Sequence, residues 1–135
     1  MMLCDTSVLV DIDRGGIDEK VARLDEEGRH AISSVTELYL GVEKGYERGT
    51  EAYETAVVGL ERLLPRFEQF DVTRPVGVNA ARIVADLQAD EERLDDLHDV
   101  YIAATARSEE ILVLTANIDH FERIDDVRVV DRRTY

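Results

Sequence analysis

The sequence predicts an α/β fold: a central, mostly parallel sheet of about five strands forming the middle of three layers, flanked by helices. Two observations carry this. Short apolar strand-like segments alternate with helical stretches along the whole chain, the pattern of a parallel sheet joined by right-handed crossovers. One segment, Ile111–Leu114, is a continuous apolar run of the kind buried on both faces of a sheet. The 135 residues suit one domain spanning 1–135, and neither linker nor repeat divides them.

The first strand is Met2–Cys4, ending at Asp5, with a helix expected over about Thr6–Asp13 before Gly15 and Gly16. Ile17, Val21 and Leu24 mark one face of a second helix that Gly28 stops, and His30–Ser33 reads as the second strand. Ser34 opens a helix whose apolar face is Val35, Leu38, Tyr39 and Val42. The clearest stripe, Tyr53, Ala56, Val57, Leu60, Leu63 and Leu64, predicts a helix over Glu51–Leu64 that Pro65 terminates. Phe67–Val72 is the third strand, and Pro75 starts a long helix carrying Val76, Ala80, Ile83, Val84 and Leu87. After a charged loop, Asp99 begins an alanine-rich helix leading into Ile111–Leu114, and Val127–Val130 closes the sheet.

Composition narrows the function. Thirty acids against sixteen bases give a net charge of −14, so no basic footprint for passive nucleic-acid binding exists. A metal-dependent nuclease remains open, because its acids hold cations that then meet phosphate. The acid-rich, lysine-poor balance also suits a high-salt milieu, where self-repulsion is screened. No apolar run approaches the roughly 20 residues of a membrane span, and no signal-peptide pattern opens the chain. A single cysteine, Cys4, excludes an internal disulfide framework and fits a reducing cytoplasm. In an apolar strand it reads as a small core residue.

In parallel sheets, ligands sit outside the carboxyl ends of the strands. Asp5 directly follows strand one, Glu37 lies in the first turn after strand two, and Asp99 begins the helix before strand four. Asn117 and Asp119 follow strand four. Carboxylates gathered in one pocket repel one another unless a cation sits among them, and hard oxygen donors suit Mg²⁺ or Mn²⁺. Each acid also has a purely structural explanation. Ser34-Val35-Thr36-Glu37 is a capping box, Asp5 and Asp99 can cap helices, and a turn welcomes Asp119.

Taken together, these segments resemble the four motifs of PIN-domain nucleases, particularly the VapC-type toxins. Leu3-Cys4-Asp5-Thr6-Ser7-Val8-Leu9-Val10-Asp11 is similar to the family's opening, and Ser33-Ser34-Val35-Thr36-Glu37-Leu38 to its second motif. Asp99-Val100-Tyr101-Ile102-Ala103-Ala104-Thr105-Ala106 resembles the third and Leu114-Thr115-Ala116-Asn117-Ile118-Asp119-His120-Phe121 the fourth, in family order over nearly the whole chain. The resemblance implies Mg²⁺-dependent hydrolysis of RNA phosphodiester bonds leaving a 5′-phosphate, a small antitoxin partner and a homodimer. It implies Asp5 and Asp99 as principal metal ligands, with Glu37 either supporting the ligands from outside or ligating through water. The family's fourth acid falls on position 117, which is Asn here, with Asp119 two residues on. Either Asn117 or Asp119 completes the metal shell, with Asp119 read as an outer acid and Asn117 as a positioning amide. Thr6 and Thr115 are candidates to orient carboxylates or waters. A PIN-domain nuclease of RNA processing, acting without an antitoxin, is the alternative within the family.

Other groups are weaker. His30, His98 and His120 share no metal-ligand spacing. Asp25-Glu26-Glu27 and the stretch Asp90–Asp96 read as solvated. Arg128, Arg132 and Arg133 lie in what reads as a solvated C-terminal tail, with RNA phosphate as the other possible contact. Tyr39, Tyr46 and Tyr53 serve either the core or an interface. Two rival classes remain. Asp11 and Asp13 echo the Asp-x-Asp opening of haloacid-dehalogenase phosphatases, although Gly15 stands where that motif wants Thr or Val. A non-catalytic acidic receiver-like module would use Asp71 but also wants a late lysine, and none follows Lys44.

Overall fold

The computed structural model describes residues 2–13, 31–32, 35–90 and 97–134. The predicted second helix around Val21, the Ser34 cap and most of the Asp90–Asp96 loop lie outside the described residues. Five strands, β1 (Met2–Cys4), β2 (Ala31–Ile32), β3 (Glu68–Gln69), β4 (Leu112–Thr115) and β5 (Val129–Asp131), form one sheet in the order β3-β2-β1-β4-β5. Every pairing is parallel, with Leu3 beside both Ala31 and Val113, and Leu114 beside Val130. The helices are α1 (Thr6–Asp13), α2 (Val35–Gly45), α3 (Glu51–Leu63), α4 (Arg74–Ala89), α5 (Leu97–Glu109) and the short α6 (Ile118–Glu122).

Alternation along the strands divides the core in two. Leu3 and Val113 face a cluster with Val76, Ala80, Ile83 and Leu87 of α4 and Val100, Ile102, Ala103 and Ala106 of α5. Met2, Cys4 and Leu114 face the other side, against Val8 and Leu9 of α1, Leu38 and Val42 of α2, and Leu60 and Leu63 of α3. Both sheet faces are thus covered, which is why β4 tolerates an unbroken apolar run. The three layers are those the sequence predicts.

Helix boundaries follow local chemistry. The Thr50 hydroxyl accepts from the Tyr53 N–H at 3.2 Å to cap α3, and Thr73 does the same for Val76 at the start of α4, where Pro75 occupies the first turn. Pro65 ends α3 by tightening the chain into a 3-10 turn over Leu64–Arg66, one residue earlier than the apolar stripe suggests. The edge strand β3 is two residues rather than the six of Phe67–Val72, since Asp71, Val72 and Thr73 already lead exposed into α4. Between α2 and α3, Gly49 adopts φ +83, the left-handed region open to glycine. That turn is braced by Glu43, which accepts from the Tyr53 hydroxyl at 2.6 Å and from Arg48 Nε at 2.7 Å. The Tyr53 hydrogen bond, then Arg48, holds the Glu43 carboxyl below its ordinary range. Tyr53 therefore serves the fold, and Tyr39 packs against the core, leaving Tyr46 as the exposed tyrosine of the three.

The C-terminal stretch is not a loose tail. The strand β5 pairs with β4, Arg128 donates to the Glu110 carbonyl at 3.3 Å, and Arg133 grips Asp131 with two guanidinium nitrogens at 3.1 and 2.9 Å. Those bonds hold the Asp131 carboxyl below its ordinary range. Among the described residues, no helix is long and apolar enough to cross a membrane.

Candidate active site

The strand order reverses direction of winding at β1 and β4: the chain moves from β1 out to β3, returns to β4 beside β1, and moves out again to β5. The crevice outside the carboxyl ends of β1 and β4 is therefore the topological switch point, the usual ligand site of an open parallel sheet. Asp5 is the first residue past β1 and Thr115 the last of β4.

Asp5 is 3% exposed, an unusual place for a carboxylate. Its Oδ2 accepts from the Thr115 hydroxyl at 2.5 Å, and its Oδ1 accepts from the Ser7 hydroxyl at 2.5 Å and the Val8 N–H at 3.3 Å. The Val8 bond makes Asp5 the cap of α1, so the structural and chemical readings of this residue hold together. The hydroxyls are themselves fixed: Ser7 Oγ accepts from the Ala116 N–H at 3.1 Å and Thr115 Oγ1 from the Asn117 N–H at 2.8 Å. Ser7, which sequence reasoning passed over, thus ties the turn after β1 to the turn after β4. Among the described residues no basic side chain is a partner of Asp5, and its carboxylate is met by neutral hydroxyl and amide donors. A buried negative charge is costly unless a cation approaches it.

Glu37, in the first turn of α2, accepts from Thr6 Oγ1 at 2.6 Å, which fastens it beside the start of α1. Asp99, in the first turn of α5, is paired to His120 Nδ1 through Oδ2 at 2.7 Å. Asn117 is exposed at the start of α6 and makes no side-chain capping bond, while its backbone N–H donates to Thr115 Oγ1 at 2.8 Å. Asp119, two residues on, is also exposed. Among the described residues, no three His, Cys, Asp or Glu side chains lie close enough to enclose a metal by themselves. The donor chemistry still fits a hard divalent cation, because the acids offer oxygen and Mg²⁺ fills its remaining positions with water or substrate oxygens. Asp5, Glu37, Asp99 and Asp119 are the candidates the sequence offers to hold it.

Behind Asp5 the Cys4 thiol is buried, and burial together with the Asp5 charge pushes it from its ordinary 9.0 up to about 12. Only roughly a thousandth is then thiolate at pH 9, so native protein is expected to stay silent to thiol reagents there and to react at once in denaturant. Because the folded state favours the neutral thiol, its contribution to stability is intact below the unfolded thiol's range and lost as pH rises towards 12. Stoichiometric labelling of native protein at pH 8 would contradict this.

The rival classes fail on position. Asp11 lies inside α1 rather than at a strand end, where a phosphatase nucleophile belongs. The sheet order 3-2-1-4-5 differs from the 2-1-3-4-5 of receiver-type domains.

Known proteins share this arrangement. The chain is 28% identical over 129 residues to Ribonuclease VapC2 of Haemophilus influenzae, covering 93% of each. Its structure is similar to DNA-bound VapBC of Salmonella typhimurium (TM-score 0.84, 26% identity, 97% of this chain and 98% of that one). It is similar as well to FitAcB of Neisseria gonorrhoeae, with TM-score 0.80, 28% identity and full coverage of both chains. The PIN domain model matches residues 2–127, a span that takes in Asp5, Glu37, Asp99 and the turn after β4; the chain belongs to the PIN domain family.

Proposed function

We infer that the chain is a VapC-type endoribonuclease, the toxin of a toxin–antitoxin pair, which hydrolyses RNA phosphodiester bonds with Mg²⁺ or Mn²⁺. The observation that carries this reading is Asp5, a carboxylate buried at the switch point of the sheet among neutral hydroxyl and amide donors. A bound divalent ion supplies an acidified water and neutralises charge on the phosphoryl oxygens. The chain's own side chains do the rest. Thr115 and Ser7 set the rotation of Asp5, Thr6 sets that of Glu37, and His120 faces Asp99. Asp119 and Asn117, exposed on the turn after β4, stand at the rim where an RNA strand would pass.

The similarity to VapBC proteins supports a small antitoxin as partner, and with it a cytoplasmic homodimer whose residues 1–135 act as one domain. Purified protein incubated with structured RNAs is expected to give discrete cuts with 5′-phosphate ends in Mg²⁺ and none in EDTA. Cleavage indifferent to EDTA, or absent across Mg²⁺, Mn²⁺ and a range of salt, would overturn the metal-nuclease reading. Recovery of the native protein without a small companion chain would instead favour an RNA-processing nuclease.

A further inference from the structure

His120 has no ligand spacing with other histidines in the sequence, yet the fold brings it across 21 residues to Asp99. Its Nδ1 lies 2.7 Å from Asp99 Oδ2, with the imidazole half exposed and the carboxylate only 14% exposed. An ionised carboxylate only accepts hydrogen bonds, so with Asp99 ionised Nδ1 is the donor of this contact. The imidazole is not adrift. Its backbone N–H donates to the Asn117 carbonyl at 3.1 Å, its carbonyl accepts from Arg123 Nε at 3.2 Å, and the neighbouring Phe121 is fully buried. A fixed backbone and a short side chain give His120 a narrow range of positions from which to hold Asp99.

We propose that His120 is a positioning residue for Asp99: by fixing the rotation of that carboxylate it sets the protein's affinity for its divalent cation. This rests on the reading of Asp99 as a metal ligand. Carboxylates that hold metals are themselves held by hydrogen bonds, and removing such a partner typically weakens metal binding about 10- to 100-fold. A first-turn Asp keeps its side-chain rotation within the helix, and the bond from α6 adds a restraint on Asp99 that α5 itself does not supply. The pairing also links α6, which follows the turn after β4, to the start of α5.

The test measures Mn²⁺ binding to the full chain at fixed pH by calorimetry or electron paramagnetic resonance, beside thermal unfolding in EDTA. His120→Ala is expected to bind Mn²⁺ about tenfold or more weakly with an unchanged unfolding temperature in EDTA. His120→Asn, whose amide N–H can stand near the Nδ1 position, is expected to recover binding to within about threefold of wild type. A loss below tenfold in His120→Ala, a failure of His120→Asn to recover, or a fall in metal-free stability that accounts for the loss would overturn the proposal. Wild type binding Mn²⁺ while these variants miss their expectations rejects the His120 role alone. Wild type that binds no Mn²⁺ rejects the metal-nuclease reading and this proposal together.

Discussion

Replacing Asp5 with Asn is expected to reduce RNA cleavage at least about a thousandfold, equivalent to roughly 4 kcal/mol of lost transition-state stabilisation. Asparagine keeps the shape of the side chain and can still accept from one hydroxyl, but it removes the buried negative charge of Asp5. The fold should survive. Among the described residues Asp5 makes no ion pair, so no positive charge is stranded when it is neutralised. The variant should therefore unfold within a few degrees of wild type in EDTA, yet lose the rise in unfolding temperature that wild type gains with Mn²⁺. Retained cleavage, or an equal Mn²⁺-dependent rise in both proteins, would show that the reactive centre lies elsewhere.

The largest effect on stability is expected at Phe121. The five-residue α6 has too few internal hydrogen bonds to persist alone, and its Phe121 is 0% exposed within the cluster formed by Leu3, Val113 and the α4–α5 face. Phe121→Ala removes that anchor and leaves a cavity, with an expected cost of about 3–5 kcal/mol. Chemical denaturation with a linear extrapolation reads this directly. Because Asp119 and His120 ride on the same short helix, activity should fall even at temperatures where the variant remains folded. A cost under about 1 kcal/mol would mean that α6 is held by its termini rather than by its aromatic residue.

Much of this was readable in the order of residues. The unbroken apolar run at Ile111–Leu114 implied a strand covered on both faces, and the core confirms it, with Val113 and Leu114 facing opposite layers. Periodicity located the helices because 3.6-residue spacing is a local property, and the stripe through Leu60 and Leu63 is buried as expected. Strand ends were less legible. The predicted Phe67–Val72 strand contracts to two residues, since strand length depends on how far a neighbouring strand extends. The last strand falls at Val129–Asp131, within a residue or two of the predicted Val127–Val130, while Arg128 and Arg133 stay exposed.

The sequence by itself determined the alternation of strands and helices, the acids that follow the strands, and the order of motifs that the PIN domain family shares. These are local: each depends on residue type and near neighbours. Only the tertiary structure decided that Asp5 answers to Thr115 and Ser7, Glu37 to Thr6, and Asp99 to His120. Three of those four bonds span between 21 and 110 residues. A side chain's partner across such a distance is fixed by sheet order and register, which arise from burial of both sheet faces together and from no single segment.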